Sequence, residues 1–266
     1  MKFRIRCVFL SVLLLLGGRA VRAESVCFAP GEKVTYKAWY NWGFIWLSAG
    51  WIDFEVATGR RDGRETWLLS GAGSTYPSYD HFFRVRDTLR SEVDPMTLEP
   101  FWAYKHAHEG KWNGNDDFTF RRLALEGDSV PVPAWEVRTV LRRKSGLNPV
   151  VLDTTRAGGF DILTTVYRLR TLPLDSLLLA DPYVLPMRLD DGEYTLYLRY
   201  QGEESVKLHK GGTYDCYLFH MTLVEGSVFK KGDYIKIWLT KDERRLPVQL
   251  EAPIVVGSVK ALLSEN

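Results

Sequence analysis

The short motif of this 266-residue chain that most resembles a metal or catalytic site is His106-Ala107-His108-Glu109. It places two histidines at alternate positions of a predicted strand, followed by a glutamate. Alternate residues of a strand face the same side, so both imidazoles can point toward one ion, and imidazole nitrogens are good zinc ligands. The remaining histidines, His81, His209 and His220, are distant in sequence, so the motif has no evident third ligand. We therefore expect exposed or hydrogen-bonded histidines, and we predict neither a metal site nor another cofactor.

Two aspartates, Asp87 and Asp161, are the next candidates for chemistry, because both have arginines within a few residues. A pair of carboxyl groups with different pKa values can act as acid and base in hydrolysis. The same residues can instead form ion pairs, and an aspartate at the start of a helix caps its backbone N–H groups. We favour the structural interpretation and predict a polar network of Arg84, Asp87, Asp161 and Arg170. No nucleophile elbow, phosphate-binding loop or dinucleotide fingerprint is present, so no catalytic residues are assigned.

Tryptophans are concentrated around one predicted hairpin. Trp39, Trp42, Trp46 and Trp51 lie within a single short segment that turns near Gly43. Most aromatic side chains in such a segment pack in the core. At the tip of the hairpin, however, aromatic residues can form an exposed apolar patch that contacts a lipid, a glycan or another envelope protein. We predict that Trp42, Phe44 and Trp46 bind a ligand there.

The elements that carry these residues are mostly strands. Apolar and polar residues alternate from Val34 to Trp42 and again from Tyr194 to Tyr200, and a period of two is typical of half-buried strands. Glycine- and aspartate-rich turns separate the segments. Further strands are expected over residues 44–56, 66–73, 86–93, 102–109, 118–125, 135–143, 217–223, 235–239, 248–250 and 255–263.

One clear helix is predicted in the middle of the chain, with a shorter helical turn near Pro77. The helix follows Gly158 and Gly159, and Pro173 stops it after Arg170. Its apolar residues share one face and are expected to pack on the sheet, with Arg168 pointing toward carboxylates or solvent. These apolar residues are Phe160, Leu163, Val166 and Tyr167.

Strands on both sides of one helix, without a linker between them, predict a single all-β domain. We expect a mainly antiparallel sheet, barrel-like or strongly curved, with one or two short helices against its mouth or face. A membrane-spanning barrel with lipid-facing apolar bands is the competing architecture.

Residues 1–23 have the pattern of a secretory signal peptide, with basic residues, a ten-residue apolar run and small residues before the expected cleavage site after Ala23. We expect residues 24–266 to form the single mature domain, with no transmembrane helix. The segment contains five basic and no acidic residues, and the whole chain has a formal net charge of +2, so the mature chain has −3. Without a basic stripe, nucleic-acid binding is not expected.

The mature chain would contain two cysteines, Cys27 and Cys216, because Cys7 belongs to the signal segment. An even pair in an oxidising compartment favours a disulfide between them. Two separately buried thiols are the alternative, since cysteine is among the most frequently buried residues.

Several short segments, in the same order along the chain, resemble DUF3108, a family of exported bacterial proteins of unknown function. The resemblance is carried by residues 34–36 and 46–50, by 83–87 with Ser91 and Asp94, by 161–163 with Tyr167, Leu169 and Arg170, and by 238–240 and 245–248. It implies a β-rich domain in the periplasm or cell envelope of a Gram-negative bacterium, and it implies no activity or catalytic residue.

These observations predict a non-enzymatic envelope protein whose curved sheet binds an apolar or amphipathic ligand, such as a lipid or acyl chain. An envelope hydrolase that uses Asp87, Asp161 or the His106 and His108 pair is the first alternative. A structural or assembly module that contacts another envelope protein is the second. A deep apolar cavity would favour the ligand-binding protein. Converging carboxylates in a solvent-filled cleft would favour the hydrolase, and a completely packed core would favour the assembly module.

Overall fold

The computed structural model describes residues 27–123, 134–143, 146, 148–156, 158–190, 192–208, 211–222, 234–254 and 257–264. The predicted signal peptide, its cleavage site and His209 lie outside these ranges.

Fourteen strands and two helices make up the described part of the chain. The first half contains β1 (Lys33–Trp42), β2 (Ile45–Arg61), β3 (Arg64–Thr75), β4 (Arg86–Val93), β5 (Pro100–Glu109), β6 (Trp112–Leu123), β7 (Ala134–Arg143) and β8 (Val150–Thr155). The second half contains α1 (Ile162–Thr171), α2 (Leu174–Leu179), β9 (Tyr183–Leu189), β10 (Gly192–Lys207), β11 (Thr213–Thr222), β12 (Tyr234–Thr240), β13 (Pro247–Pro253) and β14 (Ser258–Ser264).

All these strands belong to one antiparallel sheet in the order β8-β7-β6-β5-β4-β3-β2-β1-β14-β13-β12-β11-β10-β9. Strands β1 and β14 pair in the middle of the sheet, and β8 and β9 are its two edges, so the sheet is not closed. The prediction of a mainly antiparallel, strongly curved sheet with short helices is confirmed. No helix in the described ranges is both long and apolar enough to span a membrane.

Helix α1 lies between the two halves of the sheet and is buried from both sides. Leu163 and Tyr167 pack in one apolar cluster with Val56 of β2 and Leu69 of β3. A second cluster joins Leu169 and Leu172 to strands of the other half, through Leu185, Leu198, Phe219 and Ile237. The sheet therefore curves around α1, and the helix supplies much of the core that an open sheet needs.

The predicted packing face of α1 is correct for Phe160, Leu163 and Tyr167, which are buried, but wrong for Val166, which is 38% exposed. Because α1 is covered from two sides, its buried positions do not follow one stripe. Val166 instead lines a small cavity of about 130 Å³ between α1 and strands β1, β2 and β13. The Arg168 guanidinium lies 4.0 Å from the ring centre of Phe160, so it stacks on an aromatic ring.

The two edge strands are connected through Arg188 of β9. Its backbone N–H donates to Phe160 O at 2.7 Å, just before α1, and its guanidinium Nη1 donates to Asp153 Oδ2 of β8 at 2.7 Å. Its side chain is almost completely buried. The gap between β8 and β9 is thus bridged by one guanidinium and by the residues that begin α1.

Candidate ligand-binding cavity

A large apolar cavity lies against strands β1 to β4, with a volume of about 1120 Å³. Two glycines of β3 line its floor, Gly71, where an added Cβ would contact Phe54 and Leu163, and Gly73, where the floor is open. A Cβ atom added at Gly73 would meet no atom within 4 Å, so the missing side chain leaves empty space. Gly50, opposite on β2, has another role, since a Cβ there would collide with the backbone of Ser74. Small residues therefore create both the cavity and the close approach of its strands.

Aromatic and aliphatic side chains form the walls and the opening of the cavity. The segment between β3 and β4 folds back over it, with the Tyr79 ring 5.9 Å from the Phe82 ring and 6.5 Å from the Tyr40 ring. The opening is lined by Ile45, Leu47, Phe82 and Phe83, and all four are exposed. Phe82 is 82% exposed, an unusual position for a large apolar side chain unless something covers it.

Asp87 contributes the one carboxyl group among the described residues that line this cavity. It lies on β4, opposite Gly73 of β3. Its Oδ1 accepts a hydrogen bond from the backbone N–H of His108 at 3.0 Å, and its carboxyl group is hydrogen-bonded to that of Glu109. Burial raises the pKa of Asp87, and burial together with the Asp87 charge raises the pKa of Glu109. The two carboxyls therefore hold a proton at a higher pH than isolated carboxyls do.

The β1–β2 hairpin, which carries the predicted ligand-binding residues Trp42, Phe44 and Trp46, reaches the cavity opening. Phe44 is 95% exposed at the tip. The Trp46 ring is covered on one side by the Lys260 ammonium group, 4.6 Å from the ring centre. The neighbouring residues Ile45 and Leu47 line the cavity. The side chain of Trp42 is outside the described part of the structure.

A family model for DUF3108, described as a protein of unknown function, matches residues 33–264 and thus nearly all of the described sheet. The chain belongs to the DUF3108 family. No curated protein matches it. A crystal structure of a beta-barrel-like protein of domain of unknown function DUF1849 from Brucella abortus is similar, with a TM-score of 0.54 and 10% identity, over 88% of this chain and 95% of that chain. At that identity the similarity concerns the fold alone.

The four residues predicted to form one polar network lie at separate places in this DUF3108 protein. Arg84 is exposed beside the cavity opening, and Asp87 faces the cavity. Asp161 is buried at the start of α1, and Arg170 is buried at its other end, where it pairs with Glu32. Asp87 and Asp161 thus have different partners, so they do not form the carboxyl pair on which the hydrolase alternative depends.

Asp161 caps α1. Its Oδ1 accepts hydrogen bonds from the N–H groups of Leu163 and Thr164 at 2.9 and 3.3 Å and from the Ser91 hydroxyl at 2.8 Å. Its Oδ2 accepts from the Thr164 hydroxyl at 2.8 Å. Burial raises its pKa above the usual value of 3.8, although these hydrogen bonds oppose the shift. Both oxygens are used to hold the helix on β4, which is a structural role.

We expect Asp161→Ala to lower the free energy of unfolding by about 1–2 kcal/mol, because the cap is lost and buried donors lose their acceptor. Asp161→Asn keeps an acceptor for the helix N–H groups and should be much milder. Since the folded-state pKa is raised, the wild-type carboxyl favours folding most at acid pH. That contribution is lost as the pH rises through the folded-state value.

Urea unfolding of both variants and the wild type between pH 4 and 8 measures these effects. The stability of Asp161→Asn relative to the wild type should improve with rising pH. A cap role is contradicted if alanine and asparagine are equally mild.

The described histidines of this DUF3108 protein, His81, His106, His108 and His220, do not converge. His106 and His108 alternate with Ala107, which is buried, and no group of three or more potential ligands able to hold a metal is found among the described residues. The ring of His220 stacks on Tyr234 at 4.1 Å, and His81 is exposed in the segment over the cavity.

The predicted disulfide is not present between the two described cysteines. The Cys27 thiol donates a hydrogen bond to Arg170 O at 3.0 Å, next to the cluster that contains Tyr167. Cys216 is fully buried in a different cluster, on β11, and its thiol lies 3.5 Å from Tyr214 O. The two thiols are separately packed, as in the alternative interpretation of the sequence.

Proposed function

We propose that this DUF3108 protein is an exported, non-enzymatic protein of the periplasm or cell envelope of a Gram-negative bacterium. It binds an apolar or amphipathic ligand, such as a lipid or acyl chain, in the cavity against β1 to β4. The observation that carries the proposal is the cavity itself, which has a volume of about 1120 Å³ and an almost entirely apolar lining. Ligand pockets are typically concave, mostly apolar and supplied with few polar groups.

Two further observations support binding rather than assembly or hydrolysis. A module that acts only through its surface has no need of empty space inside, whereas the space beside Gly73 is unfilled. The exposed Phe82 and Phe83 stand at the opening, where they can contact a bound chain. The carboxyls suggested for hydrolysis do not converge, since Asp161 is fully engaged at the start of α1.

Filling the cavity should abolish binding without unfolding the protein. Leucine at position 73 enters empty space and needs no unusual backbone conformation, because Gly73 lacks the positive φ that disfavours other residues. We expect Gly73→Leu to bind N-phenyl-1-naphthylamine, a fluorescent apolar probe, at least about 10-fold more weakly than the wild type, equivalent to about 1.4 kcal/mol.

Ser70→Leu is the matched control, because it places a leucine on the other face of β3, at a position that does not line the cavity. It should bind the probe like the wild type. Native mass spectrometry of protein isolated from its own host adds an independent measurement, a retained lipid mass. A wild-type protein that takes up neither probe nor lipid would reject the proposal.

The export part of the proposal rests on residues 1–23 and predicts a mature chain that begins at Glu24. Intact-mass analysis of the protein from a periplasmic extract measures this directly. A chain that retains Met1 would contradict export by cleavage.

A further inference from the structure

One wall of the otherwise apolar cavity contains a carboxyl group, that of Asp87. Its cross-strand neighbours are small, Gly73 on β3 and Ala107 at the adjacent position of β5. No large side chain next to it on the sheet therefore covers the carboxyl. Glu109 lies diagonally beside it and shares a hydrogen bond with it. The remainder of the described lining is apolar or uncharged, so the charged group that a ligand in this cavity meets is the Asp87 carboxyl.

The charged groups behind this pair do not neutralise it. Lys105 is the nearest cation on β5, and its ammonium already contacts Asp190 Oδ1 at 2.5 Å and Asp116 Oδ2 at 3.4 Å. Arg143 of β7 is also paired with Asp116. Lys105 also acts on both carboxyls of the pair, so this one ammonium is shared among Asp87, Glu109, Asp116 and Asp190.

The other ionic groups near the cavity change this balance little. Asp80 and Arg86 are paired at 2.6 Å, and Arg84 is exposed to solvent in the segment over the opening. An excess of carboxyls in a partly buried place attracts hydrogen-bond donors and repels anions.

From this geometry we propose that the ligand's polar end is a hydrogen-bond donor, a hydroxyl or an ammonium group, which binds the Asp87 carboxyl, and that chains ending in a carboxylate bind more weakly. The inference rests on the proposed function, because it concerns the same cavity. The cavity would thus select long-chain alcohols, amines or lipids with such head groups over fatty-acid anions.

Competition among three single-chain compounds tests the inference. Dodecylamine, dodecanol and dodecanoate have the same chain and differ only in the end group. Each is titrated at pH 7.5, below its micelle concentration, against N-phenyl-1-naphthylamine bound to the wild-type protein. We expect the amine and the alcohol to displace half of the probe at concentrations at least about 10-fold lower than dodecanoate does.

Asp87→Asn should bring the amine and dodecanoate to similar half-displacement concentrations, because the amide has no charge. Asp53→Asn is the control, since it makes the same change at an exposed residue of β2 whose Oδ1 accepts a hydrogen bond from Thr35. On acidification the carboxyl pair takes up protons and loses its charge, so the ammonium compound should bind more weakly than at pH 7.5, while binding of the uncharged alcohol should change little.

The outcomes separate the two proposals. If the wild type binds the probe but dodecanoate displaces it as well as the amine does, the inference is wrong and the proposed function stands. The same holds if Asp87→Asn leaves the preference unchanged. If neither the probe nor any of the three chains binds, the proposed function fails and the inference fails with it.

Discussion

Replacing Leu163 by alanine is expected to lower the free energy of unfolding by about 2–5 kcal/mol. Leu163 is completely buried on α1, where it packs with Val56, Leu69 and Tyr167. Its Cδ1 lies close to Gly71, 3.4 Å from where a Cβ would be. Truncation loses the transfer free energy of three carbon atoms and leaves a void that neighbours on two sides of the helix can fill only in part. Urea unfolding followed by tryptophan fluorescence measures the change.

Val166→Ala is the matched control, because Val166 is on the same helix but lines a small open cavity. It should cost less than about 1 kcal/mol. If both variants have the stability of the wild type, α1 does not hold the two halves of the sheet together.

Arg170→Met should cost about 3–5 kcal/mol, because it removes one partner of a buried ion pair. The Arg170 guanidinium donates to both Glu32 oxygens at 2.6 and 2.9 Å, and to the backbone oxygens of Cys27 and Arg244 at 3.0 Å each. It also lies over the Phe28 ring, 4.9 Å from the centre. Methionine keeps an apolar stem like that of arginine but lacks the guanidinium, so the Glu32 carboxylate and two carbonyls lose these donors.

The contrast is Arg121→Met, which breaks the bidentate pair between Arg121 and Glu136 on the surface. Exposed ion pairs add little to stability, so this variant should unfold close to the wild type. Thermal unfolding of both variants in low and high salt completes the test. Equal, small effects at the two positions would show that Arg170 does not anchor the segment before β1 to α1.

Most strands of the central sheet could be predicted from the sequence, whereas its two edges could not. The predicted strand over residues 86–93 coincides with β4, because its neighbours on both sides enforce the alternation of buried and exposed residues. The sequences of strands β8 and β9 did not lead to a strand prediction. Most residues of β8 are exposed, and β9 contains Pro186, which an edge strand tolerates because it needs fewer ladder hydrogen bonds.

Helix α2 could not be predicted from the sequence either, because a proline such as Pro173 is a typical signal for the end of a helix. In the structure α1 ends at Thr171 with Leu172 as its C-cap residue, and the next residue, Pro173, is the N-cap residue of α2. Proline lacks the N–H group that is unsatisfied anyway at the start of a helix, so it is tolerated at the beginning of one.

The hairpin beside the cavity could be located from the sequence, but the residues of it that line the cavity could not. The hairpin around Gly43 does reach the cavity opening, yet Ile45 and Leu47 line it, and Phe44 and Trp46 do not. The sequence shows where the aromatic residues are but not which face of the sheet each one occupies. The alternation of faces shifts by one residue at a β-bulge, and such a bulge occurs between Ala38 and Trp39. Gly73 was the available signal, because a glycine inside a strand has no side chain to fill the space beside it.

The order of the strands has a consequence for folding kinetics. Twelve of the thirteen strand pairings in the described sheet join neighbours in sequence, and only β1 with β14 joins residues from opposite ends of the chain. Strands β1 to β8 and β9 to β14 can each form by local hairpins, which require little loop closure. The β1–β14 pairing must wait until both meanders exist, so the two should behave as separate cooperative units. In hydrogen exchange, the amides between β1 and β14 would then be protected last during refolding.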